Sequence, residues 1–424
     1  MTTLQIPYTK IEIKGSQVFM LSALIVNAGN YIYNLLLGRI LGPEAFADAA
    51  ILVTFLLILS FMAMTLQLSV AKFTGSFNNK KKDTLLRYSR KWSLLVGSFL
   101  GVFIIILAGN LQEWFNTSSA HMFRIFGMGV PIYFLMSVNR GYFQGKQEFI
   151  KLSITYQGEM FSRLFLTLAF ILILPFQSSE LVSLGILISL LPGMLPYKKI
   201  RANLLPDINS KELSHLKKFM MVTAFYELSQ VLINNGDILL VKHFFDAHSA
   251  GLYSSMALIG RAVYFVAWMF VMLLLPEVVK RQKEGKNTQK VFGKYLGMIS
   301  ILVVSVVLIN VLFPRLIIEI LFGSAYMEVA GILWKYALAS SLFALANVFV
   351  YYFLSLDKYL PVIISAIFGV LQLTVIAVEH SSLEAVVEAQ IFVMGVLLIL
   401  QTGYFLYKNN PFPIKQSYSH FDHH

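Results

Sequence analysis

Residues 51–91 read ILVTFLLILSFMAMTLQLSVAKFTGSFNNKKKDTLLRYSRK. From Ile51 to Val70 there is no charge, and the run is long enough to cross a bilayer core, which takes about 20 apolar residues. Then Lys72, Lys80, Lys81, Lys82, Arg87, Arg90 and Lys91 gather around one acidic residue, Asp83. An apolar run ending in a basic loop marks a transmembrane helix whose loop stays in the cytoplasm. The unit recurs along the chain. About twelve apolar spans are predicted, at roughly 17–38, 46–70, 92–110, 119–138, 154–175, 180–197, 219–241, 251–276, 291–313, 329–352, 359–378 and 385–407. Most of the 34 Lys and Arg fall in every second loop; the alternate loops hold only Arg39, Lys242 and Arg315, and Arg124, Arg163, Arg261 and Lys335 lie inside spans. This asymmetry predicts both termini in the cytoplasm. A reporter after Asn79 or Leu205 is then cytoplasmic, and one after Thr117 external.

Composition agrees with a bilayer as solvent. Charged residues are 13% and hydrophobic residues 57%, against about 25% charge in soluble domains. The net charge of +12 is explained by the retained loops, where anionic headgroups attract it, and calls for no nucleic acid. The chain has no cysteine, which excludes disulfides, thiolate metal sites and cysteine catalysis. The first apolar stretch is too long for a signal-peptide core and lacks a small-residue cleavage site, so it is expected to be a retained helix. The expected fold is an all-α integral membrane protein with two six-helix lobes, 1–205 and 206–424, divided at the basic stretch Tyr197 to Lys218. An even number of spans per lobe makes a duplication parallel, about an axis along the membrane normal.

Span 1 carries Asn27, Asn30 and Asn34, which fall within about 60° on a helix. Span 7 carries Glu227, Gln230, Asn234 and Asp237, within about 80°. A polar stripe in hydrocarbon must face protein or water, so two stripes at matching places suggest a shared cavity. Helix–helix hydrogen bonding is the plainer role for the amides. Glu159 and Arg163 are spaced i, i+4 as an ion pair. Arg261 has no acidic neighbour within a turn and needs a partner from another helix or an anionic ligand. Arg124 and Lys335 are near span ends and can snorkel, and Asp48 reads as a solvated helix start. Trp92, Trp114 and Trp334 read as interface anchors, with Trp268 deeper. Pro131, Pro192 and Pro196 can kink spans 4 and 6. No histidine spacing suggests a metal site, and His420, His423 and His424 sit in a polar tail.

Four segments carry a family resemblance. They are Leu-Gly-Arg39-Ile-Leu-Gly42-Pro43-Glu44-Ala-Phe, Asn139-Arg140-Gly141-Tyr-Phe-Gln144-Gly145, Asn234-Asn-Gly-Asp237-Ile-Leu-Leu-Val-Lys242 running on to Arg261, and Tyr352-Phe-Leu-Ser-Leu-Asp-Lys358. In order and spacing they resemble Wzx-type polysaccharide, or O-antigen, flippases of the multidrug/oligosaccharidyl-lipid/polysaccharide exporter (MOP) superfamily. Ala47 departs from the pattern, which usually has Gly there. The resemblance implies two lobes around a cavity that opens alternately to each side. It also implies an undecaprenyl-pyrophosphate-linked oligosaccharide as cargo, in a bacterial inner membrane, with other polysaccharide-assembly proteins as partners.

Under that reading Arg163 and Arg261 hold the pyrophosphate, and Asn27, Asn30, Asn34, Gln230 and Asn234 meet remaining oxygens or sugar hydroxyls. Asp237, Glu227 and Glu159 are candidates for a coupling ion, Na⁺ or H⁺, and no cofactor is expected. Two alternatives are a cation-coupled multidrug exporter and a lipid-linked peptidoglycan precursor flippase, although the latter usually has fourteen spans. A membrane-bound oligosaccharide polymerase or ligase would need a long outer loop bearing catalytic residues, and no such loop is present.

Overall fold

Gly42 turns the first helix back on itself. Its φ of 74° lies in the left-handed region, which glycine enters without a Cβ penalty, and Pro43 starts the next arm where its missing N–H costs nothing. Helix α1 (Gly15–Ser76) is therefore two transmembrane arms meeting at this corner. The expected loop between spans 1 and 2 shrinks to this corner. The computed structural model describes all residues except 1–3, 7–8, 14, 78, 201–209, 357 and 409–424. The expected lobe boundary at 205/206, the reporter position Leu205 and the three tail histidines lie outside the described residues, as does the side chain of Trp268.

A short hairpin, β1 (Leu4–Ile6) and β2 (Thr9–Ile13), precedes α1. The helices that follow are α2 (Asn79–Ile106), α3 (Ala108–Trp114), α4 (His121–Gly145), α5 (Phe149–Ile173) and α6 (Ser178–Gly193). The second half contains α7 (Ser210–Phe244), α8 (Ala247–Lys283), α9 (Gln289–Leu312), α10 (Pro314–Leu321), a 3₁₀ turn (Ser324–Gly331), α11 (Leu333–Ser355), α12 (Leu360–Val378) and α13 (Leu383–Lys408). Eight of these helices are long and apolar enough to cross a membrane, with the bent α1 counted once. Counting both arms of α1, and adding the shorter apolar α6 and the long polar-striped α7 and α8, gives the twelve expected spans. α3, α10 and the 3₁₀ turn are short elements outside that set.

Helices α2, α4, α5 and α6 pack on one another and on α1, while α7, α8, α9, α11, α12 and α13 form the second group. The groups meet mainly through α1, which lies along α7 and α8. Within the first group small residues allow close approach: a Cβ on Gly101 of α2 would stand 2.4 Å from the carbonyl of Gly127 on α4. Such contacts drive helix association where lipid tails are as apolar as the side chains.

The two ends of the bundle differ. The basic loops gather at one end, where a small cluster of Phe73, Leu85 and Leu216 links α1 and α2 to α7. At the far end the largest core runs unbroken across both groups, from Tyr33, Leu37, Phe46 and Ile51 to Val241, Tyr253, Phe322 and Tyr326. The far end is therefore packed shut. Topology is tested by the reporters above: a fusion after Asn79 is expected at the cytoplasmic face and one after Thr117 outside, and the reverse at either position would invert the molecule.

Candidate functional site

Two buried polar clusters lie inside the bundle, one in each group of helices. The first is built on α4 and α5. Glu159 is 8% exposed, and its carboxylate is shared by two arginines that are 4% (Arg140) and 8% (Arg163) exposed. Arg140 Nη2 lies 2.7 Å from Oε2, and Arg163 Nη1 lies 3.1 Å from Oε1. Arg140 is further fixed by bonds from Nε to the Thr155 hydroxyl (3.1 Å) and from Nη2 to the Thr155 carbonyl (2.8 Å), and it lies over the ring of Tyr156. Arg163 reaches α1, donating from Nη2 to Asn30 Oδ1 at 2.5 Å. Its Nε has no hydrogen-bond partner among the described residues.

The cluster holds two guanidinium charges and one carboxylate, so it carries one excess positive charge. The i, i+4 spacing of Glu159 and Arg163 predicts a self-contained pair, but Arg140 joins it. Sequence reading places Arg140 among the basic loop charges. In the structure α4 continues past it to Gly145 and buries it. The available signal was its position between Asn139 and Gly141 in an otherwise apolar stretch.

Asn30 thus meets Arg163. Asn34 donates to the backbone carbonyl of Asn30 at 2.9 Å, and Asn27, on the same stripe, is exposed.

The second cluster is neutral. Arg261 on α8 finds its partner in Asp237 on α7, with Nη2 2.6 Å from Oδ1. Asp237 is 1% exposed, and its other oxygen accepts from the hydroxyls of Tyr253 (2.9 Å) and Tyr336 (2.8 Å). Arg261 also donates to the Tyr336 hydroxyl and to Asn235 Oδ1. Gln230 accepts from Tyr264 and from Asn347 at 3.4 Å, and Asn234 donates to the carbonyl of Gln230. A small cleft opens among these side chains, lined by Asn234, Arg261, Tyr264, Tyr336, Gln372 and Gln390. It lies within α7, α8 and α11–α13. The two arginines stand in separate clusters, Arg163 with Glu159 and Arg140, and Arg261 with Asp237. Glu227 is half-buried on α7 and makes no hydrogen bond or ion pair among the described residues.

A third set of charges joins the two groups at the far end. Asp48, expected as a solvated helix start, is buried against Lys242, Oδ1 to Nζ 2.9 Å, and Lys242 is 1% exposed. Sequence reading counts Lys242 as an outer-loop charge. In the structure α7 runs on to Phe244 and carries it inside. The backbone amide of Ser118 donates to Asp48 Oδ2 (2.9 Å), and Lys242 also donates to the carbonyl of Asn116. Around this pair Arg39 donates to the carbonyl of Ile320, and Tyr326 to that of Gly38. A Cβ on Gly251 would stand 1.9 Å from the Pro43 carbonyl, so α8 touches the α1 corner directly. On the surface His248 bridges Glu44 (3.1 Å) and Glu328 (3.2 Å), and those carboxylates, Glu328 foremost, raise its pKa above the usual histidine value.

Sequence comparison shows the family, and structure comparison the fold. A family described as "Polysaccharide biosynthesis protein" matches residues 36–331. The sporulation protein YkvU of Bacillus subtilis (strain 168) is 25% identical over 179 residues, which is 42% of this chain and 39% of that protein. The match thus spans well under half the length of that relative. An inward-facing multidrug resistance MATE family transporter of the MOP superfamily superimposes with a TM-score of 0.77 at 12% identity, covering 93% of this chain and 98% of the other. The lipid II flippase MurJ in an inward closed conformation gives 0.70 at 14% identity, covering 94% and 88%.

Proposed function

The chain belongs to the polysaccharide biosynthesis protein family and has the multi-pass membrane fold of MOP-superfamily transporters, and from that premise we propose that it moves undecaprenyl-pyrophosphate-linked oligosaccharide units from the inner to the outer leaflet of a bacterial cytoplasmic membrane. The observation that carries this reading is the excess positive charge of the Arg140–Glu159–Arg163 cluster. A buried charge is tolerated only when compensated, so a protein that keeps an uncompensated guanidinium at this depth is prepared for an anion. Arg163 offers a planar donor set suited to phosphate oxygens. The exposed amide of Asn27 and the half-buried Asn34 lie on the adjoining stripe for sugar hydroxyls. The lipid tail stays in the bilayer.

The cycle follows from the asymmetry of the two ends. With the far end shut, cargo enters from the basic end; opening the far end and closing the basic one delivers it outward. An inside-negative potential favours this direction by about 2.3 kcal/mol per negative charge per 100 mV, if no compensating charge moves. The neutral Arg261–Asp237 pair then serves as scaffold for the second lobe, with Gln230 and Asn234 beside its cleft. If an ion, Na⁺ or H⁺, drives the cycle, Glu227 is the better seat. Asp237 and Glu159 are already held by arginines, whereas Glu227 has no partner among the described residues. A cation-coupled drug exporter would place net negative charge in the membrane, and the two clusters carry net positive charge. The fold relatives are a transporter and a flippase, and we assign no catalytic role.

Deletion of the gene followed by leaflet-resolved lipid analysis tests this function. Lipid-linked repeat units are expected to accumulate on the inner leaflet and to clear when the wild-type chain is restored. Normal outer-leaflet delivery in the deletion strain would exclude the flippase role.

A further inference from the structure

Glu159 has an arrangement unlike an ordinary structural carboxylate. Each of its two oxygens takes a guanidinium from a different side, Arg140 on α4 and Arg163 one turn along α5. A phosphate group held by two arginines is bound in the same way. The stem of Glu159 is fixed from behind by α6, where a Cβ on Gly193 would stand 3.0 Å from Glu159 Cβ. Arg140 is anchored by Thr155 and Tyr156. Arg163 is less committed, with Nε unpartnered among the described residues and Nη2 on a neutral amide.

We propose that Glu159 is a built-in counter-anion: its carboxylate sits where a substrate phosphate binds Arg163, and an arriving anion displaces it onto Arg140 alone. This rests on the flippase reading above and adds a residue that sets how tightly the anion is held. In the resting state the carboxylate bridges both arginines and spares Arg163 the cost of an unpaired buried charge. In the loaded state Arg140 retains Glu159, and Arg163 gives its donors to the phosphate. Release is the reverse exchange, so Glu159 supplies part of the drive that expels the anion. A flippase needs such weakening, because a pyrophosphate held only by unopposed arginines would leave slowly.

The proposal gives opposite signs for two neighbouring substitutions. Glu159→Gln removes the competitor and is expected to tighten binding of inorganic pyrophosphate by about tenfold or more. Arg140→Gln removes the alternative seat, commits Glu159 to Arg163, and is expected to weaken it by a similar factor, since close buried charge pairs couple by roughly 1.5 kcal/mol or more and 1.4 kcal/mol is tenfold. A role in folding alone would not move the two in opposite directions. The measurement is titration calorimetry of pyrophosphate into the purified full-length protein, with thermal unfolding of each variant as control. Should Glu159→Gln not accumulate, Glu159→Asp, too short to bridge both arginines, is expected to tighten binding as well.

Unchanged or weaker binding in whichever Glu159 variant folds, or tighter binding in Arg140→Gln, would overturn the counter-anion. The flippase reading fails separately, through normal export in the deletion strain, and leaves these binding signs intact.

Discussion

Replacing Arg163 with Ala is expected to abolish the proposed export of lipid-linked oligosaccharide while the protein still inserts and accumulates. The first cluster then consists of Arg140 and Glu159 alone, a neutral pair at 2.7 Å with its remaining bonds to Thr155 intact. The change leaves Glu159 Oε1 and the half-buried amide oxygen of Asn30 without their guanidinium donor, while Arg140 still neutralises the carboxylate. What disappears is the excess positive charge, and with it the compensation for a phosphate at that depth. Truncating one side of a buried charged contact costs roughly 2–5 kcal/mol, or from tens-fold to several thousand-fold in affinity. Arg163→Lys keeps the charge but loses the fork, so partial export is expected. The readout is outer-leaflet oligosaccharide per unit of protein in the membrane. Wild-type export by Arg163→Ala would show that the anion is bound elsewhere.

Arg261 is expected to behave differently, although the sequence presents it as an equal candidate. Its removal strands the Asp237 carboxylate, 1% exposed, among tyrosine hydroxyls, and breaking such a pair costs about 3–5 kcal/mol. Loss of protein rather than loss of binding should follow, and pairing Arg261→Leu with Asp237→Asn should restore accumulation.

That contrast indicates what the sequence could and could not express. Hydropathy and the placement of Lys and Arg located the spans but not their ends, because each span answers to the bilayer and not to its neighbours. The stripes of span 1 and span 7 were legible too, since helical periodicity is local. The pairing of charges was not. Arg261 visibly lacked a partner on its own helix, but Asp237 meets it only because α7 and α8 pack together. Arg140 and Lys242 read as loop charges because a basic residue near a span end is usually solvated. Here helices α4 and α7 run further than the apolar run alone indicates, and they carry both residues inside. Asp48 lies near a span end and reads as solvated, but its partner, Lys242, is in the other half of the chain.

The Asp48–Lys242 pair leads to the remaining large effect. Asp48→Asn is expected to unlock the far end. Lys242 would keep its 1% exposure and lose the carboxylate at 2.9 Å, leaving a buried ammonium with neutral acceptors such as the carbonyl of Asn116. The penalty, about 3–5 kcal/mol, falls on the shut conformation, because opening the far end returns Lys242 to water. Population should therefore shift toward the outward-open state. The chain has no cysteine, so a single Ala49→Cys, placed at a fully buried position of the far-end core, reports opening. Its reaction with a membrane-impermeant thiol reagent is expected to quicken by at least about tenfold in Asp48→Asn, since even 1.4 kcal/mol of that penalty is a factor of ten. Adding Lys242→Met should slow it again, because exchanging both members of a buried pair for uncharged groups is often close to neutral. The surface bridge of His248 adds a weaker, pH-dependent component. Its raised pKa means that protonation favours the shut state: the contribution is complete below the ordinary histidine value and is lost as pH rises through the raised one. Once the thiol's own ionisation is divided out with a fully exposed reference cysteine, labelling should thus quicken modestly toward alkaline pH, and His248→Gln should remove that residual slope without changing the Asp48→Asn effect. Labelling of Asp48→Asn at the parent rate would mean that the apolar core, and not the ion pair, holds the far end closed.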